Sequence, residues 1–215
     1  MAKKLAATIP PPAALDVTII VWGKDNPIHR VHPDAYQADQ FNPGLKGNAR
    51  FSPIRDVKGR PIPTLYGGST FDCAAMESFF HDVPFVSGLK SVDKSKLDHL
   101  IYSVITATVD LKLVDLSNIP LRKLGIERKD LIDTEKDRYP ATRLWAQAIH
   151  AAHPDAHGLH WVSRQDDASR ALMLFGDRIS PTVFTRHGVS MSVLGDIPLY
   201  ENVLELAEKI GVNII

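Results

Sequence analysis

Apolar residues fall along this chain mostly in short runs rich in β-branched types, which is typical of strands. These runs predict strands over residues 16–22, 28–32, 62–66, 101–109, 111–116, 157–163 and 171–177. A strand-like run that contains Arg50 leads to a polar turn at residues 56–60, which predicts a hairpin with the strand at 62–66. Alternation after Ile179 predicts a last hairpin that turns at His187-Gly188.

Helical periodicity marks three longer segments. They cover residues 70–81, 140–152 and 199–209, and shorter helical stretches are predicted at 94–100 and 122–134. Ser69 and Asp72 form a capping-box pattern at the start of the first helix. That helix is apolar on nearly all sides, so we expect it to be buried.

Glu77 occupies the one sector of this first helix that is not apolar. An unpaired buried charge costs several kcal/mol, and no lysine or arginine lies within one helical turn to pair with it. Two readings follow. Glu77 either faces a polar pocket, or it is an ordinary helix residue that reaches solvent or a backbone amide.

Composition limits the protein classes that remain. The chain has 215 residues, of which 44% are hydrophobic, which predicts one domain over residues 16–215 behind an N-terminal arm at 1–15. Lys+Arg and Asp+Glu both number 25, so no net field attracts nucleic acid or an anionic membrane. No apolar run approaches the roughly 20 residues of a membrane span. The single cysteine, Cys73, suits a reducing compartment, and we expect the cytoplasm.

Two familiar catalytic arrangements are disfavoured. Four histidines lie within eleven residues, at His150, His153, His157 and His160. Pro154 and Gly158 break the spacing between the two pairs, so we predict no metal site. A triad of Ser163, His160 and Asp166 would need three residues close in sequence to converge, and no glycine-flanked nucleophile elbow is present.

Five other side chains form a more suggestive set, although each has a structural explanation when taken alone. No glycine-rich phosphate loop occurs, so a nucleotide would be bound by other means. Arginine forks suit a pyrophosphate, a tyrosine face suits a flat ring, and a carboxylate suits ribose hydroxyls or a developing cation. The set comprises Arg30, Arg50, Tyr66, Glu77 and Ser163.

An ordered series of segments over residues 28–178 resembles the RES domain family. The segments are HRVHP, GNARFSP, PTLYGGST, CAAMESFFHDVP, RYPATRLWA and GLHWVSRQDDASRALMLFGDR. The resemblance implies a fold like that of ADP-ribosyltransferase toxins. Together with the strand and helix pattern it gives an α+β class, with mixed, largely antiparallel sheets and flanking helices. Asn48-Ala49, where many members have glycines, and the N-terminal arm depart from the family pattern.

The same resemblance implies a bacterial toxin that degrades NAD+ by phosphorolysis, with NAD+ as substrate, inorganic phosphate as co-substrate and no other cofactor. It implies an Xre-type helix-turn-helix antitoxin as partner, while a homodimer stays open. Three alternatives remain at this stage: transfer of ADP-ribose to a protein, hydrolysis of NAD+, and a nucleotide-binding module without catalysis.

By motif position, the family's two arginines, tyrosine, glutamate and serine fall on Arg30, Arg50, Tyr66, Glu77 and Ser163. The resemblance implies that Glu77, Arg50 and Ser163 are catalytic. Glu77 would hold a ribose hydroxyl and face the developing positive charge. Arg30 and Arg50 would bind the pyrophosphate or an incoming phosphate, Tyr66 would pack on the nicotinamide, and Ser163 would orient the ribose or phosphate.

Overall fold

A computed structural model describes residues 9–215 of the chain, so the first eight residues of the predicted arm lie outside it. The strands are β1 (Ile19–Trp22), β2 (Pro27–Pro33), β3 (Ile54–Arg55), β4 (Pro61–Ile62), β5 (Thr64–Gly68), β6 (Lys90–Val92), β7 (Leu100–Ala107), β8 (Leu111–Asp115), β9 (Gly158–Val162), β10 (Arg170–Phe175), β11 (Phe184–Ser192) and β12 (Val212–Ile214). The α-helices are α1 (Phe71–Met76), α2 (Pro120–Leu124), α3 (Arg128–Leu131), α4 (Tyr139–Ala152) and α5 (Ile197–Lys209). Short 3-10 turns cover Lys94–Leu97, Lys136–Arg138 and Pro181–Val183.

Eight strands form the central sheet, in the order β1-β8-β9-β10-β5-β2-β7-β11. Every neighbouring pair is antiparallel except β8 and β9, which are parallel. Two small sheets accompany it, one of β6 with β12 and one of β3 with β4. This architecture confirms the predicted α+β class with a largely antiparallel sheet and flanking helices.

Both faces of the sheet are covered by apolar side chains at its centre. Along β10, Met173 and Phe175 belong to a cluster that includes Trp145 of α4, whereas Leu172 and Leu174 belong to a cluster on the other face. Alternate residues of a strand point to opposite faces, so a strand buried on both sides reads as a continuous apolar run. A third cluster packs α1 against α5.

The described part of the arm lies along α4. The Trp145 indole Nε1 donates a hydrogen bond to the Ile9 carbonyl at 2.9 Å. A ring nitrogen of His153 lies 3.1 Å from the Leu15 carbonyl oxygen, and the Leu15 side chain packs on the α4 cluster. Residues 9–15 are therefore fastened to the domain by backbone carbonyls and one apolar contact.

The first predicted helix is shorter than its sequence pattern indicates. Helix α1 ends at Met76, and Glu77 is its C-terminal cap. Phe79 and Phe80 lie beyond the helix and pack into the cluster between α1 and α5, with their ring centroids 4.6 Å apart. The apolar pattern that predicted a helix to residue 81 reflects this burial, which the chain achieves without helical backbone.

The helix cap also differs from the capping-box prediction. Thr70, not Ser69, is the N-cap of α1, and its hydroxyl accepts a hydrogen bond from the Cys73 amide at 3.0 Å. The Ser69 hydroxyl instead accepts a hydrogen bond from the Arg170 amide of β10 at 3.0 Å. Ser69 therefore joins the loop before α1 to the sheet.

Several other elements differ from prediction. Arg50 lies in a turn and not in a strand, while the predicted turn at 56–60 does join β3 to β4. The expected last hairpin is the single strand β11, in which the register with β7 shifts between His187 and Met191. The helical stretch at 122–134 is split into α2 and α3 by Gly125, whose φ of 68° ends α2. Within residues 9–215 no helix combines the length and apolarity of a bilayer span.

Candidate active site

A cavity of about 290 Å³ opens where the C-terminal end of α1 meets the middle of the sheet. Its lining comes from segments far apart in the sequence, and the polar members that matter most are His29, Arg50, Tyr66, Glu77, Tyr139 and Arg164. The cavity lies close to the lower bound of about 300–1,000 Å³ that is typical of small-molecule sites. Three of the five residues singled out by sequence therefore line one cavity.

Glu77 reaches the cavity because α1 packs closely on β5. A Cβ atom on Gly68 would lie 2.7 Å from the Cys73 sulfur, so the approach of helix and strand requires glycine there. Burial raises the pKa of the Cys73 thiol to about 12, and the nearby charge of Glu77 acts in the same direction. Cys73 is thus a packing residue, and the ionisable group that the C-terminal end of α1 brings to the cavity is the carboxylate of Glu77.

Ser163 holds the Glu77 carboxylate from behind. Its hydroxyl donates a hydrogen bond to Glu77 Oε1 at 2.6 Å and accepts hydrogen bonds from the amides of Gln165 and Asp166 at 3.1 and 3.2 Å. The serine is fully buried and does not line the cavity. The structure thus places Ser163 behind the carboxylate and not in the cavity wall, with its hydroxyl occupied by Glu77 and two amides.

Arg50 lines the cavity from a turn rather than a strand. Its guanidinium donates hydrogen bonds to the carbonyl of Ile132 and to the hydroxyl of Thr134, and it lies 5.5 Å from the Tyr139 ring centroid. Burial lowers the pKa of Arg50, whereas Tyr139 and Glu77 act against that shift. Arg50 is 7% exposed and stays a fixed cation near the Glu77 carboxylate.

Tyr66 forms part of the cavity wall from β5. Its hydroxyl accepts a hydrogen bond from the Phe51 amide at 3.1 Å, and its ring stands edge-on to Trp161 with 6.4 Å between centroids. Burial raises the pKa of Tyr66 to about 12, so the phenol is neutral at physiological pH. A neutral aromatic wall suits contact with a flat ring.

Arg30 is not part of the cavity, contrary to prediction. Its guanidinium donates to the backbone carbonyls of Tyr66 at 3.1 Å, Gln40 at 3.5 Å and Ala38, and only 6% of the residue is exposed. Because side chains alternate along β2, the neighbour His29 faces the cavity and Arg30 faces the other side. Arg30 fastens the loop at residues 38–40 to the sheet.

Sequence reasoning missed two cations at the cavity, Lys136 and Arg164. Arg164 donates to the Thr134 carbonyl at 2.6 Å and to Glu135 Oε1 at 3.1 Å, and Lys136 pairs with Asp82 at 2.7 Å. The one sequence signal that could have identified Arg164 was its position directly after Ser163. Lys136 lies in a charged segment whose pattern does not distinguish a cavity wall from an ordinary solvated surface.

The clustered histidines have separate partners. His150 pairs with Asp177, His153 contacts the Leu15 carbonyl, His157 accepts from the Lys112 amide and His160 lies 3.4 Å from Asp115. Over residues 9–215, no three His, Cys, Asp or Glu side chains come together as a metal site would require. Ser163 contacts Glu77 and not His160, so the residues of the disfavoured triad do not assemble.

Fold and cavity together define an α+β domain whose central pocket combines the oriented carboxylate of Glu77 with fixed guanidinium groups and an aromatic wall. The model of the RES domain family matches residues 27–187, most of the chain, and the protein belongs to that family.

A solved structure provides a second comparison. The chain is similar in fold to a chain of the M. tuberculosis MbcT–MbcA toxin–antitoxin complex, with a TM-score of 0.59 and 14% sequence identity. The match covers 86% of this chain and 90% of that chain, so the shared fold extends over nearly the whole domain. No curated protein matches the sequence.

Proposed function

We propose that this protein is the toxin of a toxin–antitoxin pair and that it depletes NAD+ by cleaving the bond between nicotinamide and ribose. Membership of the RES domain family and the fold shared with a chain of a toxin–antitoxin complex support the first part. The observation that carries the second part is the carboxylate of Glu77, which is oriented by Ser163 and lies in one cavity with Arg50 and Tyr66.

Cleavage of the bond between nicotinamide and ribose does not require a general acid. When the C1″–N bond breaks, its electron pair returns to the pyridinium nitrogen, so nicotinamide leaves as a neutral molecule without a proton. Positive charge then develops on the ribose, as in glycoside cleavage. Glu77 bonds a ribose hydroxyl and stabilises this charge, and the Ser163 hydrogen bond fixes the carboxylate before the charge appears.

Inorganic phosphate is the acceptor that we propose. A phosphate oxygen forms the new bond to C1″ as nicotinamide leaves, which gives ADP-ribose 1″-phosphate. Arg50, Arg164 and Lys136 supply the cationic side of the cavity for this phosphate or for the diphosphate of NAD+. Tyr66 packs against the nicotinamide end. No further cofactor enters the proposal.

The partner that we propose is an Xre-type helix-turn-helix antitoxin. The structural neighbour comes from a complex of a toxin with an antitoxin, which supports an antitoxin as partner. The balanced charge of the chain gives it no general attraction for nucleic acid. Cytoplasmic location stays a prediction, and a homodimer stays open.

Product analysis tests the reaction. Antitoxin-free protein is incubated with NAD+ with and without inorganic phosphate, and nicotinamide and the ribosyl products are separated by chromatography. We expect ADP-ribose 1″-phosphate that forms only when phosphate is supplied. ADP-ribose at the same rate without phosphate would indicate hydrolysis, and ADP-ribose attached to added protein would indicate a transferase. Intact NAD+ after long incubation would indicate a nucleotide-binding module without catalysis.

A further inference from the structure

A second, more open cavity adjoins the first. It has a volume of about 360 Å³ and is lined by Phe85, Arg128, Asp133, Glu135, Arg164 and Asp167, and we call it the outer groove. Glu135 and Arg164 line both cavities, so they form the boundary between them. The two cavities are therefore neighbours that share the wall formed by this hydrogen-bonded pair.

The outer groove differs in chemistry from the first cavity. Its lining carries the carboxylates of Asp133, Glu135 and Asp167, which accept hydrogen bonds from hydroxyl and amino groups. The guanidinium of Arg128 also lines it and pairs with Asp133. Phe85 leaves 83% of its surface exposed, so its ring is available for stacking with a flat heterocycle. The cation at the boundary is Arg164, whose side chain is 14% exposed and lies 3.1 Å from the Glu135 carboxylate. The groove and its boundary thus combine a cation that suits phosphate, carboxylates that suit hydroxyls and a ring that suits a base.

We propose that the outer groove binds the adenosine half of NAD+, with the adenine against Phe85, the adenosine ribose hydroxyls at the carboxylates and the diphosphate beside Arg164. This inference rests on the proposed function, and it gives a binding site to the adenosine end of NAD+, which the first cavity does not accommodate. A ligand as large as a dinucleotide needs more space than the roughly 300 Å³ at the low end of small-molecule sites.

Phe85 offers a cleaner test than the groove's arginines. Arg128 bonds both carboxylate oxygens of Asp133 and donates to the Ser163 carbonyl at 3.3 Å, so its replacement would also disturb the serine that holds Glu77. Leu89 lies four residues after Phe85 in the sequence, is 73% exposed and does not line the groove. Leu89→Ala is therefore the matched control for Phe85→Ala.

The kinetic experiment compares NAD+ with nicotinamide mononucleotide, which has the same scissile bond but lacks the adenosine half. We expect Phe85→Ala to raise KM for NAD+ at least about fivefold, as loss of one base-stacking contact would, and to leave KM for the mononucleotide and kcat for both substrates unchanged. Leu89→Ala should behave as the parent does. Equal KM values for NAD+ in Phe85→Ala and the parent, or an equal effect on both substrates, would overturn the proposal.

A binding measurement separates this proposal from the reaction itself. AMP is titrated into the parent, Phe85→Ala and Leu89→Ala proteins in a calorimeter, without any turnover. An affinity for AMP that falls at least about fivefold in Phe85→Ala, and in that variant alone, supports the adenosine site. This conclusion holds even if the protein releases no nicotinamide from NAD+, because absence of release would refute only the proposed reaction. Absence of AMP binding to the parent, or equal affinity in all three proteins, overturns the adenosine site.

Discussion

The carboxylate of Glu77 is useful because its position is fixed by a residue outside the cavity. Ser163 is buried, and two backbone amides orient its hydroxyl toward Glu77 Oε1. A hydrogen bond to a charged group contributes about 1.5–3 kcal/mol, roughly twice that of a neutral bond. A carboxylate held in this way does not need to reorganise when positive charge develops on a sugar.

Replacing Ser163 with alanine tests this positioning role. We expect Ser163→Ala to lower kcat for nicotinamide release about tenfold or more and to change KM for NAD+ little, because the serine contacts Glu77 and not the ligand. Ser103→Ala is the control, since Ser103 is also a buried serine with hydrogen bonds to side chains, and these lie on β2 and β11. A larger change in KM than in kcat, or an equal loss of kcat in the control, would contradict the assignment.

Candidate site residues could be predicted from the sequence where a charged or polar residue stood out from an apolar segment around it. Glu77 was identifiable as a carboxylate in the one sector of the predicted helix that is not apolar. Arg30 was misplaced because alternation indicates which residues of β2 share a face, but not which face meets the cavity. Arg164 and Lys136 were missed because a surface cation and a cavity cation look alike until distant segments are brought together.

At the scale of elements, the short helix α1 determines where Glu77 lies. Its start is fixed by the Thr70 hydroxyl, which bonds the Cys73 amide and the Ser169 hydroxyl, each at 3.0 Å. Its contact with β5 depends on Gly68, which has no Cβ to separate helix and strand. Six residues do not form a stable helix alone, so the cap and the packing together hold the C-terminal end at the cavity.

Loss of the Thr70 cap should therefore weaken the fold and the site together. We expect Thr70→Ala to lower the free energy of unfolding by about 1 kcal/mol, whereas Thr70→Ser keeps the capping oxygen and most of the stability. Urea denaturation of both variants measures this difference. Equal stability of the two variants would show that the hydroxyl does not cap α1 as described.

Element boundaries were the least predictable part of the fold. Apolar residues predicted a helix through residue 81, but Phe79 and Phe80 are buried by contacts with α5 that only the tertiary structure supplies. The hairpin predicted at His187-Gly188 is a bulge in β11, because a glycine within a strand gives the same signal as a turn. Strands with continuous apolar runs, such as β10, were predicted correctly since burial on both faces produces that pattern.

Over the whole molecule, burial lowers the pKa of several histidines below the usual value of 6.5. They are His29, His32, His150 and His157. The largest shift is at His32, whose pKa falls to about 4 through burial and, secondarily, through the charge of Arg30. Its Nε2 lies 2.9 Å from the Ser103 hydroxyl and its Nδ1 lies 3.1 Å from the Pro33 carbonyl, which suits a neutral ring that donates from Nδ1.

Acid should therefore destabilise the protein. Between the unfolded pKa of 6.5 and the folded pKa of about 4, the unfolded state of His32 binds more protons, so stability falls as pH falls. We expect His32 alone to remove about 1 kcal/mol of unfolding free energy on going from about pH 7.5 to about pH 5.5.

Urea denaturation at the two pH values measures this loss. His32→Asn should flatten the pH dependence, and the control His99→Asn, at an exposed histidine, should not. An unchanged slope in His32→Asn would contradict the assignment.

The proposed reaction depends on one carboxylate, that of Glu77, which faces the ribose of NAD+. Nicotinamide release from NAD+ by Glu77→Gln tests this claim most directly, with Glu201→Gln on the exposed side of α5 as control and thermal unfolding to verify the fold. Loss of a preorganised charge of this kind costs about 3–4 kcal/mol, so we predict a fall in kcat of roughly 100-fold or more in a folded Glu77→Gln protein. Release of nicotinamide by Glu77→Gln at the parental rate would contradict the account.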